Sequence, residues 1–337
     1  MTELDSPSVS VVIPTFNDLA HIGDALTSIV GQTLAPAEVV VCDDGSDDGT
    51  ERFVGEFIER HARGVSVRYL RLPGRSGAAA ARNHGVAATE GEWIAVCDSD
   101  DVWAPGKLER QLGFLREWRG RQPIAVLGAH GYNMNDAKRV ISLAPIGPTT
   151  EEQYDAAMAK GSKLVVLHSS ILYPRAQFTA IGGYSTEYGS LDDVDFVCRM
   201  AYRGVVVCIP EPLVYYRKRA GSVQLAHFWD QRQNALRLTE NQKRRARGQD
   251  PVSSEEFAAQ LASAPALTRF RRRKRLWGLY YYRVGATNMV NGHRLRGGAE
   301  LALASILDGT RLRAGMRNAV RSRFSRGSRA VPAVQEE

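Results

Sequence analysis

Cysteine is scarce in this chain. Four occur in 337 residues, at Cys42, Cys97, Cys198 and Cys208, with no Cys-x-x-Cys pair. That spacing offers no disulfide framework to read and points to a reducing compartment. The first two lie inside apolar runs, where a buried free thiol packs well. Long apolar runs are missing too: nothing approaches the ~18 consecutive apolar residues of a membrane span. The polar segment 1–8 is short and leads straight into a strand-like run, so no secretory signal is expected and the chain reads as cytoplasmic. Acids are nearly absent from one region. Residues 268–330 carry sixteen Arg or Lys against two acids, beginning with Arg271-Arg272-Arg273-Lys274-Arg275. Such a segment seeks an anionic surface, nucleic acid or the inner face of an anionic bilayer. A basic solvated helix is the plain alternative.

What remains is ordinary globular material, with 44% apolar and 24% charged residues and a formal charge of +7. The length suits one large α/β domain with an appendage, or two domains. Within it, Cys97-Asp98-Ser99-Asp100-Asp101 sets three carboxylates directly after the apolar run 93–96. Crowded carboxylates raise one another's pKa unless a cation compensates them, and an all-oxygen set suits Mg²⁺ or Mn²⁺. A second acidic cluster, Asp43-Asp44-Gly45-Ser46-Asp47-Asp48, likewise follows an apolar run, 38–42. The alternative for each is a solvated turn or a cap for the next helix.

The first ~130 residues alternate apolar runs with helix-period segments, the signature of βαβ units and a largely parallel sheet. Strands are expected at 9–14, 39–42, 65–70 and 93–97, with helices near 19–31, 50–61 and 78–88. In an open α/β sheet, ligands bind outside the carboxyl ends of the strands. Pro14-Thr15-Phe16-Asn17 and both acidic clusters fall there, which implies one shared site. Further strands are expected at 124–129, 164–168, 205–209 and 213–217, a helix at 193–202, and helices beyond 227 interrupted by a polar excursion at 239–254. The domain reading is 1–225 for the catalytic unit, divided near 125, then a basic helical extension at 226–324 and a disordered tail at 325–337.

The ordered set Val9-Ser10-Val11-Val12-Ile13-Pro14-Thr15-Phe16-Asn17, Val41-Cys42-Asp43-Asp44-Gly45-Ser46, Ala81-Arg82-Asn83-His84-Gly85 and Asp98-Ser99-Asp100-Asp101, with Pro105 and Lys107, resembles family 2 glycosyltransferases of the GT-A fold. Order and spacing match over about the first 220 residues. The resemblance implies a Rossmann-like, mixed, mainly parallel sheet flanked by helices. It also implies inverting transfer of a sugar from a nucleoside diphosphate sugar to an acceptor hydroxyl.

On that resemblance Asp44, with Asp43 beside it, accepts the nucleobase imide N–H, and Pro14, Thr15, Phe16 and Asn17 line base and ribose. Asp100 is the metal ligand, with Asp98 or Asp101 assisting. Asp98 and Ser99 serve as ribose or donor contacts, and the ion is Mn²⁺ or Mg²⁺. Arg82 faces either the phosphates or a helix-surface ion partner. Ile181-Gly182-Gly183-Tyr184 followed by Leu191-Asp192-Asp193-Val194-Asp195 resembles the family's acidic pair after a Gly-Gly-aromatic turn. That makes Asp193 the general base. Asp192 stands where glutamate is usual, and an alternative use of these acids is to cap the helix. Arg219, in the segment 215–222, stands where a histidine is common and is a candidate phosphate contact.

His168, Tyr173 and Trp103 are candidates for the acceptor side, or plain core residues. No Gln-x-x-Arg-Trp element is present, which favours adding one sugar per encounter. The expected partners are a nucleoside diphosphate sugar, UDP-type as the commonest donor, and a saccharide or lipid-linked saccharide of a cell-envelope pathway. A peripheral contact with the inner membrane face through the basic extension is also expected. Nucleic acid is not, because such binding needs no paired acidic clusters at strand ends. The competing readings are a catalytically inactive nucleotide-sugar scaffold and a sugar-phosphate nucleotidylyltransferase. The second lacks its Gly-rich loop after the first strand, where Pro14-Thr15-Phe16-Asn17 stands.

Overall fold

The computed structural model describes residues 7–61, 64–218, 228–290 and 293–308. Strand β1 (Val9–Thr15) is buried along its whole length, as expected of a strand covered on both faces. It lies between β2 (Glu38–Asp43) and β4 (Trp93–Val96), with β3 (Ser66–Arg71) beyond β2, all parallel. The connecting helices are α1 (Ile22–Val30), α2 (Thr50–His61) and α3 (Ala78–Ala87). Helix α1 turns Ile22, Ala25, Leu26 and Ile29 into the core, the stripe its spacing dictates. Helix α3 approaches β1 so closely that a Cβ on Gly85 would sit 2.5 Å from Val12 Cγ1, which only glycine avoids.

The rest of the sheet is mixed. After β5 (Val102–Trp103) and α4 (Lys107–Glu117) come the long strand β6 (Ile124–Met134), β7 (Val140–Ala144) and α5 (Glu151–Ala159). Then follow β8 (Leu172–Pro174), α6 (Arg175–Ala180), α7 (Asp192–Met200) and β9 (Val205–Arg217). Among the described residues the nine strands form one sheet in the order β3-β2-β1-β4-β8-β6-β9-β5, with β7 on β6. Strand β8 runs antiparallel to β4, and β6 pairs parallel with β9.

The expectations for this half need correction. Residues 164–167 form no strand, and 168–170 make a 3-10 turn; the strand delivered to β4 is β8, which was not foreseen. The two strands expected at 205–209 and 213–217 are one, β9. Its pairing shifts register opposite Ala129 to Gly131, where Pro210 and Pro212 lack the N–H needed for the ladder. The polar stretch expected at 239–254 is helical in its first half: helix α8 (Phe228–Ala246) runs to Ala246, with Asn241 and Gln242 buried, and only 247–253 leave the helix.

Two compact units result. The first holds described residues 7–218 and takes up 238–250; the second holds 228–237 and 251–308. The second unit comprises the start of α8, α9 (Ser254–Ser263), α10 (Ala266–Val290) and α11 (Arg294–Leu307). Helix α9 opens with a capping box between Ser253 and Glu256. No helix among the described residues is long and apolar enough to cross a membrane. All four cysteines are free and buried, and burial pushes their thiols up, to about 11 for Cys42 and about 12 for Cys198 and Cys208. The expected tail at 325–337 lies outside the described residues.

Candidate active site

The carboxyl ends of β1, β2 and β4 carry the three segments that the sequence assigns to one site. Pro14 and Thr15 are buried within β1, and the Thr15 hydroxyl has no hydrogen-bond partner. Phe16 lies under the Arg75 guanidinium, 4.4 Å from its ring centre. Asn17 adopts a left-handed backbone (φ 48°) and stitches this loop to the next. Its N–H donates to Ser46 Oγ at 2.8 Å, while its side-chain oxygen accepts from the Asp47 N–H at 2.9 Å.

Asp43 and Asp44, expected to share one role, do not. Asp43 is fully buried and builds the turn: Oδ1 accepts from the Ser46 N–H and hydroxyl, and Oδ2 from the Tyr69 hydroxyl. Three of its acceptor positions are thereby taken. The Asp44 oxygens accept the N–H groups of Ser76 and Gly77, at 2.6 and 2.8 Å, tying the glycine- and alanine-rich loop before α3 to β2. A carboxylate offers about four acceptor positions, so Asp44 retains capacity for a further donor.

After β4 the chain turns sharply, and its acids diverge. Asp98 accepts from Arg82 Nη2 at 2.8 Å, its N–H donates to Ser169 Oγ at 3.0 Å, and His168 Nδ1 stands 3.7 Å from its Oδ1. Burial alone would raise its carboxyl; the Arg82 guanidinium and the His168 imidazole overcome this and hold it below the usual carboxylate range. Ser99, expected at the donor, instead donates to buried Asp18 at 2.6 Å. Asp100 is half-buried, and its carbonyl oxygen accepts from Arg217 Nε at 2.7 Å.

Asp101, expected as an auxiliary metal ligand, is turned inward and fully buried. Its oxygens accept from the Ser169 hydroxyl and, at 2.8 Å, from the Arg217 N–H. Burial and the neighbouring Asp100 and Asp98 carboxylates push it well above the ordinary range. Together with burial, the charges of Asp101, Asp98 and Asp100 in the turn after β4 and of Asp193 on α7 raise the Tyr216 phenol.

The acceptor half is pinned to α3. Gly182 and Gly183 have φ of 75° and 72°, and Asn83 pairs both ways with the Tyr184 backbone, donating at 2.9 Å and accepting at 2.8 Å. The Tyr184 ring stacks on Phe196 with centres 4.0 Å apart, and its hydroxyl lies 3.0 Å from His168 Nε2. This delivers the three acids of α7 to three tasks. Asp192 is buried, with Oδ2 2.5 Å from Arg82 Nη1. Asp195 is fully buried and binds Arg199 at 2.7 Å.

Asp193 is half-buried and makes no ion pair among the described residues. Burial raises its carboxyl, Asp192 adds to this, and His168 and Arg82 oppose it; the net shift is upward. Arg82 therefore joins the acid after β4 to the acid opening α7. The position expected to touch phosphate or lie on a helix surface is an interior bridge. Asp192, expected beside Asp193 in catalysis, is the far end of that bridge.

The remaining candidates separate. Trp103 and Tyr173 are core: Trp103 donates to the Ser169 carbonyl at 2.7 Å, and Tyr173 packs against Phe178 and Phe196. His168 faces the site, and its Nδ1 is buried without a hydrogen-bond partner. Arg219 lies outside the described residues. Ser169 and Arg217 were not foreseen, and Asn83 was marked only as part of a motif, without a role. Among the described residues no three His, Cys, Asp or Glu side chains gather into a ready-made cation cage. What stands at the end of β4 is two half-buried carboxylates, Asp98 and Asp100. That donor set fits an Mg²⁺- or Mn²⁺-type ion that takes its other oxygens from a diphosphate and water.

Known proteins share this architecture. TarS of S. aureus, in a structure holding UDP, superposes with a TM-score of 0.55 at 16% identity, covering 90% of this chain and 91% of that one. The mannosyltransferase PcManGT from Pyrobaculum calidifontis, solved with GDP-Man and Mn²⁺, gives 0.53 at 19% identity over 89% and 86%. These likenesses show the GT-A fold. In sequence, the Escherichia coli UDP-Glc:alpha-D-GlcNAc-diphosphoundecaprenol beta-1,3-glucosyltransferase WfgD is 36% identical over 112 residues, 33% of this chain and 42% of that protein. The match thus spans less than half of that relative's length. Residues 10–175 fit the family model described as glycosyl transferase family 2. The strand-end loops, the acidic turn after β4 and the fold that presents them all agree with that match, and the chain belongs to the family 2 glycosyltransferases.

Proposed function

We propose that the protein is a metal-dependent inverting glycosyltransferase that moves one sugar from a nucleoside diphosphate sugar, UDP-type, to an acceptor hydroxyl. The acceptor is a lipid-linked saccharide of cell-envelope polysaccharide or glycolipid synthesis, met at the membrane. The observation that carries this reading is the Arg82 bridge, which holds the acids after β4 and at the start of α7 together while leaving Asp193 without an ion pair.

In this reading Asp44 accepts the imide N–H of the base, with Thr15 and Phe16 beside it. Asp98 and Asp100 face the diphosphate and would hold a divalent cation, which would supply charge neutralisation for the leaving group. Asp193 takes the acceptor's proton as its oxygen attacks the anomeric carbon. The bond from that carbon to the diphosphate oxygen breaks, and its electron pair departs with the nucleoside diphosphate. A raised carboxyl suits the task, because a base is most effective when its pKa approaches the working pH. TarS with UDP, PcManGT with GDP-Man and Mn²⁺, and the donor and acceptor named for WfgD support the class of substrates.

Calorimetric titration of UDP, GDP and dTDP, with and without Mn²⁺, tests the donor site. Metal-dependent binding of one nucleotide, lost in Asp100→Ala, is expected. A folded protein that binds none of the three removes the transferase reading.

A further inference from the structure

The second compact unit contains an open groove of about 710 Å³ whose walls come from α8, α9 and α10. Its lining includes Trp229, Gln233 and Leu236 of α8, Leu261 of α9, and Phe270 and Trp277 of α10 together with Arg269, Arg272 and Arg273. Helix α10 carries seven Arg or Lys and no acid. Arg269 and Arg272 are turned back by their bonds to the Ala262 and Leu261 carbonyls, at 2.9 and 3.1 Å. Arg271, Arg273 and Lys274 are exposed and have no acidic partner among the described residues.

The unit also exposes large apolar side chains, inside the groove and beside it. Phe270 is 66% exposed, Leu267 58% and Trp229 41%. Leu267, Phe270, Arg271 and Lys274 fall at i, i+3, i+4 and i+7, one stripe of α10 in which two apolar side chains are followed by two cations. A solvated basic helix needs no such apolar stripe. A nucleic-acid backbone calls for the charge but leaves Leu267 and Phe270 without a partner. An anionic bilayer surface satisfies both demands, with lipid phosphates against the cations and the headgroup–acyl boundary against the apolar side chains.

We infer that this unit docks on an anionic lipid bilayer, with Arg271, Arg273 and Lys274 on the lipid phosphates and Leu267, Phe270 and Trp229 seated at the interface. The inference deepens the reading of a membrane-borne acceptor and names the surface that brings the enzyme to it, but its test does not involve the sugar site. Each basic residue at an anionic surface contributes about a fivefold factor in affinity. Losing three lowers vesicle binding by roughly a hundredfold.

The full-length protein is sedimented with phosphatidylcholine vesicles with and without acidic phospholipid, across a salt series. Binding that requires acidic lipid and weakens with salt is expected. Arg271→Gln/Arg273→Gln/Lys274→Gln should lose most of it, and Leu267→Ser/Phe270→Ser should lose it while keeping the salt dependence. All these positions are exposed, so the variants are expected to remain folded, and UDP titration of each reports the donor site separately. Equal binding to neutral and acidic vesicles overturns the inference. So does wild-type binding by both variants, or capture of single-stranded oligonucleotide in preference to acidic vesicles.

Discussion

Arg82 and Asp192 are 110 residues apart in the chain and meet at 2.5 Å in the interior, where the same guanidinium also binds Asp98. Removing one partner of a buried ion pair leaves the other charged and uncompensated, a loss of about 3–5 kcal/mol. Arg82→Ala should therefore cost that order of stability in urea unfolding. The double variant Arg82→Ala/Asp192→Ala should recover part of it. Additive losses would show that the two side chains are not coupled.

Asp193→Asn tests the general base. Loss of a positioned base lowers turnover by about 10²–10⁴-fold, while nucleotide affinity should stay within about twofold because the proposed role places Asp193 against the acceptor and not the base. The carboxyl is raised, so its proton is lost at a pH above that of an ordinary aspartate, and only the ionised form accepts a proton. The acid limb of the rate profile should accordingly lie above the ordinary carboxylate range. A flat profile through that region would remove Asp193 from the role.

Asp44→Ala should act twice. It frees the N–H groups of Ser76 and Gly77 and deletes the acceptor proposed for the base. Hydrogen bonds to a charged group contribute about 1.5–3 kcal/mol, so nucleotide affinity should fall about ten- to a hundredfold. Asp43→Ala should instead lower stability, since Asp43 accepts from Ser46 and Tyr69 inside the turn. Thermal unfolding and calorimetry on the pair separate the two effects.

Lys107 is fully buried, with Nζ 2.7 Å from Gln111 Oε1 and 3.8 Å from the centre of the Trp103 ring. Burial lowers its ammonium from 10.5 to about 7. The folded state thus releases this proton before the unfolded chain does. Stability should rise as pH increases from about 7 toward 10, with a slope of up to about 1.4 kcal/mol per unit. It should be lost again as pH falls through the folded value. Lys107→Met should remove this slope from chemical denaturation measured across that window, and an unchanged slope would show that another group supplies it.

The sequence and the structure agree where local rules suffice. Apolar runs bounded by turns, and amphipathic helices between them, located β1 to β4 and α1 to α3 to within a few residues, because each obeys its own period. They fail where pairing is non-local. Strand β8 has three residues and exists because it fits beside β4, while the 164–168 run has the right composition and no strand beside it. The runs 205–209 and 213–217 read as two strands, yet one strand passes through Pro210 and Pro212 by shifting register on β6.

The acids show the same division. Their clustering marked the candidate site, but which side chains are held inward depends on partners far along the chain, such as Ser169 and Arg217 for Asp101 and Arg82 for Asp192. Composition carries no signal for that. His168 was visible only as a lone histidine, and its place 3.7 Å from Asp98 follows from the turn joining β8 to the sheet.

The four cysteines, all interior and all held protonated by their surroundings, give the protein a silent thiol background. Maleimide reagents attack thiolates and need access, so the native chain should take up little label while folded. A single cysteine placed on the surface then becomes an addressable handle for a fluorophore or spin probe. Placed at exposed Lys274 or in the Arg75 loop, such a probe could report lipid contact and nucleotide arrival independently on an otherwise unlabelled molecule.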